Sequence, residues 1–364
     1  MPEKVRIGVI GTGGIATMRH LPAFKGKEAA GEAEVVAVCD VNEEGARKAA
    51  ARFDVPHIFT DYRDLLALPL DAVSICTPNN SHEPISLAAL DAGLHVLCEK
   101  PIAMDYAGSR RMTERATAAG RITAVNFRYR HIPAAWFAHD LIRGGDLGDI
   151  FHVYAHYFNG SLHNPQSPIT WRNSQAESGS GALGDLASHI IDLCRWWVGE
   201  FASVQGHLRT FTPERPLNTG GIGRVDVDDA VNFHAIFESG AEAVIDASRC
   251  AIGHNNHQRI EVYGTKGSLI YEIERADEGG ETLRVCFGET QARYNAFAPV
   301  YLPPLYRTSH PQRVMDDFIA AIRADTPMSP DFTDGMRCQE VLDAVVLSAQ
   351  GGRRVSLPLD GAIS

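Results

Sequence analysis

No Cys-x-x-Cys pair occurs anywhere in the chain. The cysteines, Cys39, Cys76, Cys98, Cys194, Cys250, Cys286 and Cys338, are odd in number and scattered, several of them in apolar runs. That pattern excludes a disulfide framework and a cysteine zinc site and reads as reduced, mostly buried thiols. No window approaches the roughly 18 consecutive apolar residues of a membrane helix, so no membrane is expected as partner. Positive charge is in deficit: 34 Lys and Arg against 45 Asp and Glu give a net charge of −11. Nucleic acid and anionic membrane surfaces call for basic patches, so no nucleic-acid partner is expected either. No low-complexity tract or internal repeat is visible. The first strand signal starts at Val5, which leaves no room for a signal peptide, and a cytoplasmic location is expected.

What is present is globular. The 364 residues exceed one compact core, so two domains are expected. The reading turns on Val5 to Ala16, an apolar β-branched run that meets Gly11-Thr12-Gly13-Gly14-Ile15-Ala16. This is G-x-G-x-x-A, a dinucleotide fingerprint with alanine at its third small position. Gly11 permits the tight turn, Gly13 lets the backbone approach a pyrophosphate, and the next helix offers its N-terminal N–H groups. A second strand, Glu34 to Cys39, ends at Asp40, 24 residues after Ala16. An acid there is placed to accept from an adenosine ribose and to repel a 2′-phosphate, which favours NAD over NADP.

Strands and helices then alternate. Further strands are expected at His57–Phe59, Ala72–Cys76, His95–Cys98 and Ile122–Val125, with Asn42, Asp61 and Ser81 as helix caps. The alternation predicts an open parallel sheet, whose ligands lie beyond the carboxyl ends of the strands. Those ends carry Gly11 to Gly14, Asp40, Thr77-Pro78-Asn79 to His82, and Glu99-Lys100-Pro101. Lys100 sits between a strand end and a proline, and that proline is a candidate for a cis peptide. Asn126 and Arg128 follow the sixth strand, where they are candidate substrate contacts; a structural salt bridge is the equal alternative for Arg128.

From Asn126 the pattern changes, and the domains are drawn at 1–125 and 126–364. Pro133 opens a helix to Arg143, and Ile150–Phe158 alternates like a half-exposed strand. Asn159 to Gly181 has no clear period, and within it His163 is a candidate substrate contact. Asp185 to Trp197 reads as an apolar-faced helix on which Asp185 and His189 share a face near its start. Strands follow at Val204–Thr210, Ala230–Phe237, Ala241–Ser248, Arg259–Tyr263, Ser268–Glu272 and Leu283–Phe287, with turns at 238–240 and 264–267. They predict a large, mostly antiparallel sheet with one face on helices. Helices 311–324 and 335–350 and a strand at Val355–Leu357 end the chain. His152/His156 and His254/His257 are spaced pairs without a third ligand, so no metal is expected.

At Glu99-Lys100-Pro101 and Gly184-Asp185-x-x-x-His189-x-x-Asp192 the chain resembles the glucose–fructose oxidoreductase, inositol dehydrogenase and rhizopine-catabolism (Gfo/Idh/MocA) family. The resemblance covers nearly the whole chain, since the opening fingerprint, Thr77-Pro78-Asn79 with His82, Trp171-Arg172 and Asp334-Gly335 also match. It implies an α/β enzyme: a Rossmann domain followed by an α/β domain with a large, mostly antiparallel sheet. It implies a reductase using NAD or NADP on sugars, cyclitols or related polyols. It implies that Lys100, Asp185 and His189 form the catalytic group and bind substrate. It implies that Trp171-Arg172 reaches the cofactor and that copies assemble through the open sheet, as dimer or tetramer. The expected reaction moves a hydride between a secondary alcohol and nicotinamide, and either His189 or Lys100 is the base. A glycosidase or lyase with retained NAD, and a non-catalytic NAD-binding regulator, are the alternatives.

Overall fold

A computed structural model describes residues 3–274, 280–288 and 296–359. It divides into two compact units, 1–128 with 312–339, and 129–311 with 340–364.

The first unit is built on a six-stranded parallel sheet of β1 (Val5–Ile10), β2 (Ala33–Cys39), β3 (His57–Phe59), β4 (Ala72–Ile75), β5 (His95–Cys98) and β6 (Thr123–Val125). The strand order is β3-β2-β1-β4-β5-β6, the doubly wound Rossmann order that reverses between β1 and β4. The inner strands are apolar almost throughout, because helices cover both faces. Asn42 caps the helix Glu43–Phe53 by accepting from Gly45 N–H at 3.2 Å, and Asp61 caps Tyr62–Leu66 from Arg63 N–H at 2.8 Å. Ser81 does not cap its helix as expected. It lies at the end of a 3₁₀ turn with helical φ and ψ, and its hydroxyl donates to Thr77 Oγ1 at 2.7 Å and to the Pro78 carbonyl at 2.8 Å.

The chain returns to this unit late. The helix Arg313–Ala324 buries Val314, Met315, Phe318, Ile319 and Ile322 in one cluster with Val5, Ile7, Val9, Leu21 and Phe24. These five side chains form a continuous stripe at helical spacing, so their burial is the main force docking the helix.

The second unit is organised on a nine-stranded sheet containing β7 (Ile150–Phe158), β8 (Phe201–Arg209), β11 (Ala230–Phe237), β12 (Glu242–Ser248), β13 (His257–Gly264), β14 (Gly267–Ile273) and β15 (Glu281–Phe287), completed by β16 (Ala298–Pro299) and β17 (Val355–Ser356). A separate hairpin, β9 (Glu214–Pro216) with β10 (Ile222–Arg224), lies between β8 and β11 in sequence. All pairs in the nine-stranded sheet are antiparallel except β7 with β12. The strands alternate in burial. Val153, Ala155 and Tyr157 of β7 point to the core, while Tyr154 and His156 point away. The helix Ser188–Trp197 is buried at nearly every position in this unit.

Candidate active site

In the first unit the glycine turn is shaped as the fingerprint requires. Gly11 has φ +90°, and a Cβ there would stand 2.6 Å from the Cys76 backbone. A side chain is therefore excluded twice, by conformation and by space. A Cβ on Gly13 would meet nothing within 4 Å, which leaves an open cradle of backbone in front of the following helix. Gly14 is likewise exposed, and Ile15 is half-buried at the helix start. That helix opens with a single π turn, Ala16–His20, before continuing as Leu21–Ala29. Asp40 ends β2. Its Oδ2 accepts from Thr12 N–H at 2.7 Å and Thr12 Oγ1 at 2.9 Å, and its Oδ1 from Asn42 N–H at 2.9 Å. The carboxylate is thus fixed beside the glycine turn, with acceptor capacity left for hydroxyl donors. The open cradle, the helix start behind it and the fixed acid fit an NAD pyrophosphate and ribose.

Lys100 is half-buried at the end of β5, and the Lys100–Pro101 peptide is cis. Beneath it lies a polar group that the sequence reading did not assemble. His20 is fully buried, with Nε2 2.8 Å from Glu99 Oε1 and Nδ1 2.8 Å from Ser74 Oγ. Asn126 Nδ2 donates to the same Glu99 oxygen at 2.6 Å, and Lys100 N–H reaches Glu99 Oε2 at 3.3 Å. Burial alone would depress the imidazole. The Cys76 sulfur and the Glu99 carboxylate beside it more than reverse that, and its pKa is pushed up to about 10. Burial would raise Glu99, yet the His20 hydrogen bond and charge and the Asn126 amide hold it down at about 2. The two form a buried ion pair under the Lys100 turn.

Two expected ligand contacts are engaged in this support. Glu99 and Asn126 are 8% and 3% exposed; Glu99 and the Nδ2 of Asn126 are engaged in the network, while Asn126 Oδ1 is buried without a partner among the described residues. His82 is fully buried, with Nδ1 2.8 Å from the Pro101 carbonyl and Nε2 2.9 Å from the Thr77 carbonyl. It ties the Thr77-Pro78-Asn79 turn to the segment after Lys100, and burial holds its pKa below the usual value. Thr77 and Pro78 are half-buried and Asn79 is buried. Arg128 is half-buried at the start of a 3₁₀ turn.

In the second unit, Asp185 lies on a π turn, Leu183–Ala187, that leads into the helix of His189. Extra-wide turns of this kind concentrate at functional positions. The turn is anchored by buried Asp228, whose oxygens accept from Gly181 N–H at 2.7 Å and Leu183 N–H at 2.8 Å. A Cβ on Gly181 would collide with the Asp228 carbonyl at 1.7 Å. Arg172 Nε stands 3.9 Å from Asp185 Oδ2, and its guanidinium lies over the Trp171 ring at 4.3 Å. The Trp171–Asn173 turn is held by a capping box, with Thr170 N–H donating to Asn173 Oδ1 at 3.0 Å.

His189 is 7% exposed. The Tyr129 ring meets it edge-on at 4.6 Å, and Tyr157 lies 6.2 Å away. The two tyrosine hydroxyls are 3.0 Å apart, and both donate to Asn256 Oδ1. One turn on, Asp192 accepts two bonds from Arg130, at 2.9 and 2.6 Å, with both side chains 4% exposed or less. The sequence reading missed Tyr129, Tyr157, Asn256, Arg130 and Asp228, which come from distant strands and loops. His163 is exposed and bonds through Nδ1 to its own loop at the Gly160 carbonyl.

Comparison with known proteins agrees with this architecture. Residues 5–127 match the oxidoreductase family described as an NAD-binding Rossmann fold, and residues 136–270 match the Gfo/Idh/MocA C-terminal domain. A levoglucosan dehydrogenase of Pseudarthrobacter phenanthrenivorans is 35% identical over 354 residues, spanning 88% of this chain and 89% of that protein. A myo-inositol 2-dehydrogenase of Thermotoga maritima is 29% identical, over 91% of this chain and 92% of its own. The solved structure of a levoglucosan dehydrogenase in complex with NADH and levoglucosan has a TM-score of 0.89 at 33% identity, covering 98% of this chain and 100% of that one. The chain belongs to the Gfo/Idh/MocA oxidoreductases and is an NAD-dependent member of that family.

Proposed function

We propose that this chain oxidises a secondary alcohol of a sugar, glycoside or cyclitol to the ketone, or catalyses the reverse. Bound at Gly11 to Ile15 and Asp40, NAD would supply the hydride acceptor or donor. The residues supply the rest. Lys100, on its supported turn, gives the cation that stabilises developing alkoxide charge. His189 takes the hydroxyl proton, and Asp185 orients it or binds a neighbouring hydroxyl. Trp171 and Arg172 are proposed cofactor contacts and His163 a substrate contact, with a cofactor domain at 1–125 and a substrate and oligomerisation domain at 126–364, less the returning segment 312–339 that groups with the first.

The observation that supports this most is the motif set itself: Glu99-Lys100-Pro101 at a strand end beside an open glycine cradle, in a chain 35% identical to a levoglucosan dehydrogenase. Neither bond cleavage with retained NAD nor a purely regulatory role finds support in relatives named as dehydrogenases. Association of copies through the outer sheet face is proposed from its exposed Tyr154 and Val244, which are cross-strand neighbours. The test is NAD reduction against a panel of pyranoses, anhydrohexoses, glycosides and inositols. One class should yield an equivalent of NADH per ketone formed. Cleavage without NADH release, or inertness toward the whole panel, would contradict the proposal.

A further inference from the structure

A cluster of histidines and glutamates in the second unit takes no part in the chemistry above. His156 lies on the outward face of β7, His257 opens β13, His254 precedes it in the loop, and Glu274 follows β14. The third ligand missing from the sequence pairs is supplied by the fold. One ligand atom each from His254, His257 and Glu274 falls within 4.8 Å of the others. His254 Nδ1 is 3.1 Å from Glu274 Oε2, and the His254 and His257 rings stack at 4.3 Å. His156 Nε2 faces His257 Nδ1 at 3.3 Å.

We propose that His254, His257 and Glu274 form a binding site for a divalent transition metal, zinc by preference, with the fourth position left to water. Bonds of about 2.0–2.1 Å in a tetrahedron place neighbouring ligand atoms about 3.3–3.4 Å apart. The His254–Glu274 pair, at 3.1 Å, already stands near that edge length. Outer partners are in place too. Glu272 Oε1 sits 3.0 Å from His257 Nε2, the arrangement that puts the ring proton on Nε2 and leaves Nδ1, the nitrogen facing His156, as the donor a metal would take. Arg259 holds the second Glu272 oxygen at 3.0 Å. Glu274 Oε1 accepts from Asn255 N–H at 2.7 Å and Asn256 N–H at 3.2 Å, which leaves Oε2 directed at His254. Imidazole and carboxylate donors together select zinc, nickel or copper over magnesium or calcium, which take oxygen alone. The metal would pin the loop that carries Asn256, whose side chain receives the hydroxyls of Tyr129 and Tyr157.

The experiment uses the untagged full chain, stripped with chelator and dialysed. Zinc is titrated calorimetrically, bound metal is counted by mass spectrometry, and cobalt is added separately for its visible absorption. One zinc per chain, tetrahedral cobalt bands and a raised melting temperature are expected. His254→Ala with His257→Ala should abolish binding. Glu272→Gln, which removes only the outer partner, should keep one site and weaken it about 10–100-fold. Melting curves in chelator establish that the variants fold; should the double variant not fold, the Glu272→Gln result decides alone. No binding below millimolar zinc, or zinc affinity unchanged in Glu272→Gln and the double variant, overturns the proposal.

Discussion

Replacing Glu99 with Gln removes a charge from the buried group under Lys100 and leaves its shape. His20 is 0% exposed, Glu99 is 8% exposed, and they meet at 2.8 Å. In the variant the amide oxygen still accepts from the His20 ring and from Asn126, and a neutral ring accepts on Nδ1 from the Ser74 hydroxyl. What is lost is the charge assistance, about 1.5–3 kcal/mol, and the long bond that Oε2 accepts from Lys100 N–H, which the amide NH2 cannot accept. Glu99→Ala, which strands a buried imidazolium, costs about 3–5 kcal/mol. At about 2–4 °C per kcal/mol, Glu99→Gln lowers the melting temperature of the unit by about 3–12 °C. The pH dependence is the sharper readout. His20 is raised to about 10, so its share of stability is complete below 6.5 and lost as pH rises through 10. Glu99 is lowered to about 2, so its share is complete above 4.5 and lost as pH falls toward 2. Both shares are complete only between 4.5 and 6.5. Melting of wild type and variant at about pH 3, 5.5 and 9 should show the largest gap at the middle value, closing on both sides. A gap that is equal at all three, or absent, would refute the ion pair.

Three further outcomes follow from the same geometry. Gly11→Ala should destabilise the first unit by about 1–3 kcal/mol from φ alone and weaken NAD binding, both read by thermal shift with and without NAD. Asp40→Ala should raise the Kd for NAD and narrow the preference over NADP, measured by titration of each; an unchanged ratio would contradict the role of the acid. Asp192→Ala should cost about 3–5 kcal/mol in urea unfolding because it leaves Arg130 buried and uncompensated, and a loss below about 1 kcal/mol would count against that pair.

Local rules carry far in this chain. β-branched runs, glycine turns and Asx caps mark all six parallel strands, because each such signal is made by neighbours in sequence. The large sheet was legible for the same reason, down to the hairpin turn at Gly240. What escaped is non-local. The stripe on Arg313–Ala324 shows that the helix buries one face but does not name the sheet it buries it on. His20 reads as an ordinary helix residue until a π turn carries it under β5 beside Glu99. Asn126 reads as a polar residue after a strand, suited to hydroxyls, and instead closes that buried network. Asp185 and His189 are four apart, yet the intervening turn is π and not α, so their relative direction is not that of an ideal helix face. The shell of His189 is drawn from Tyr129, Tyr157 and Asn256, which no spacing rule connects.

The central claim is that Lys100 serves the chemical step. Turnover with the identified polyol and NAD affinity should be measured side by side for Lys100→Ala. kcat should fall about 10²–10³-fold, the scale of a lost charge-stabilising donor, with the Kd for NAD little changed. Near-normal turnover, or a loss traced wholly to NAD binding, would contradict the claim.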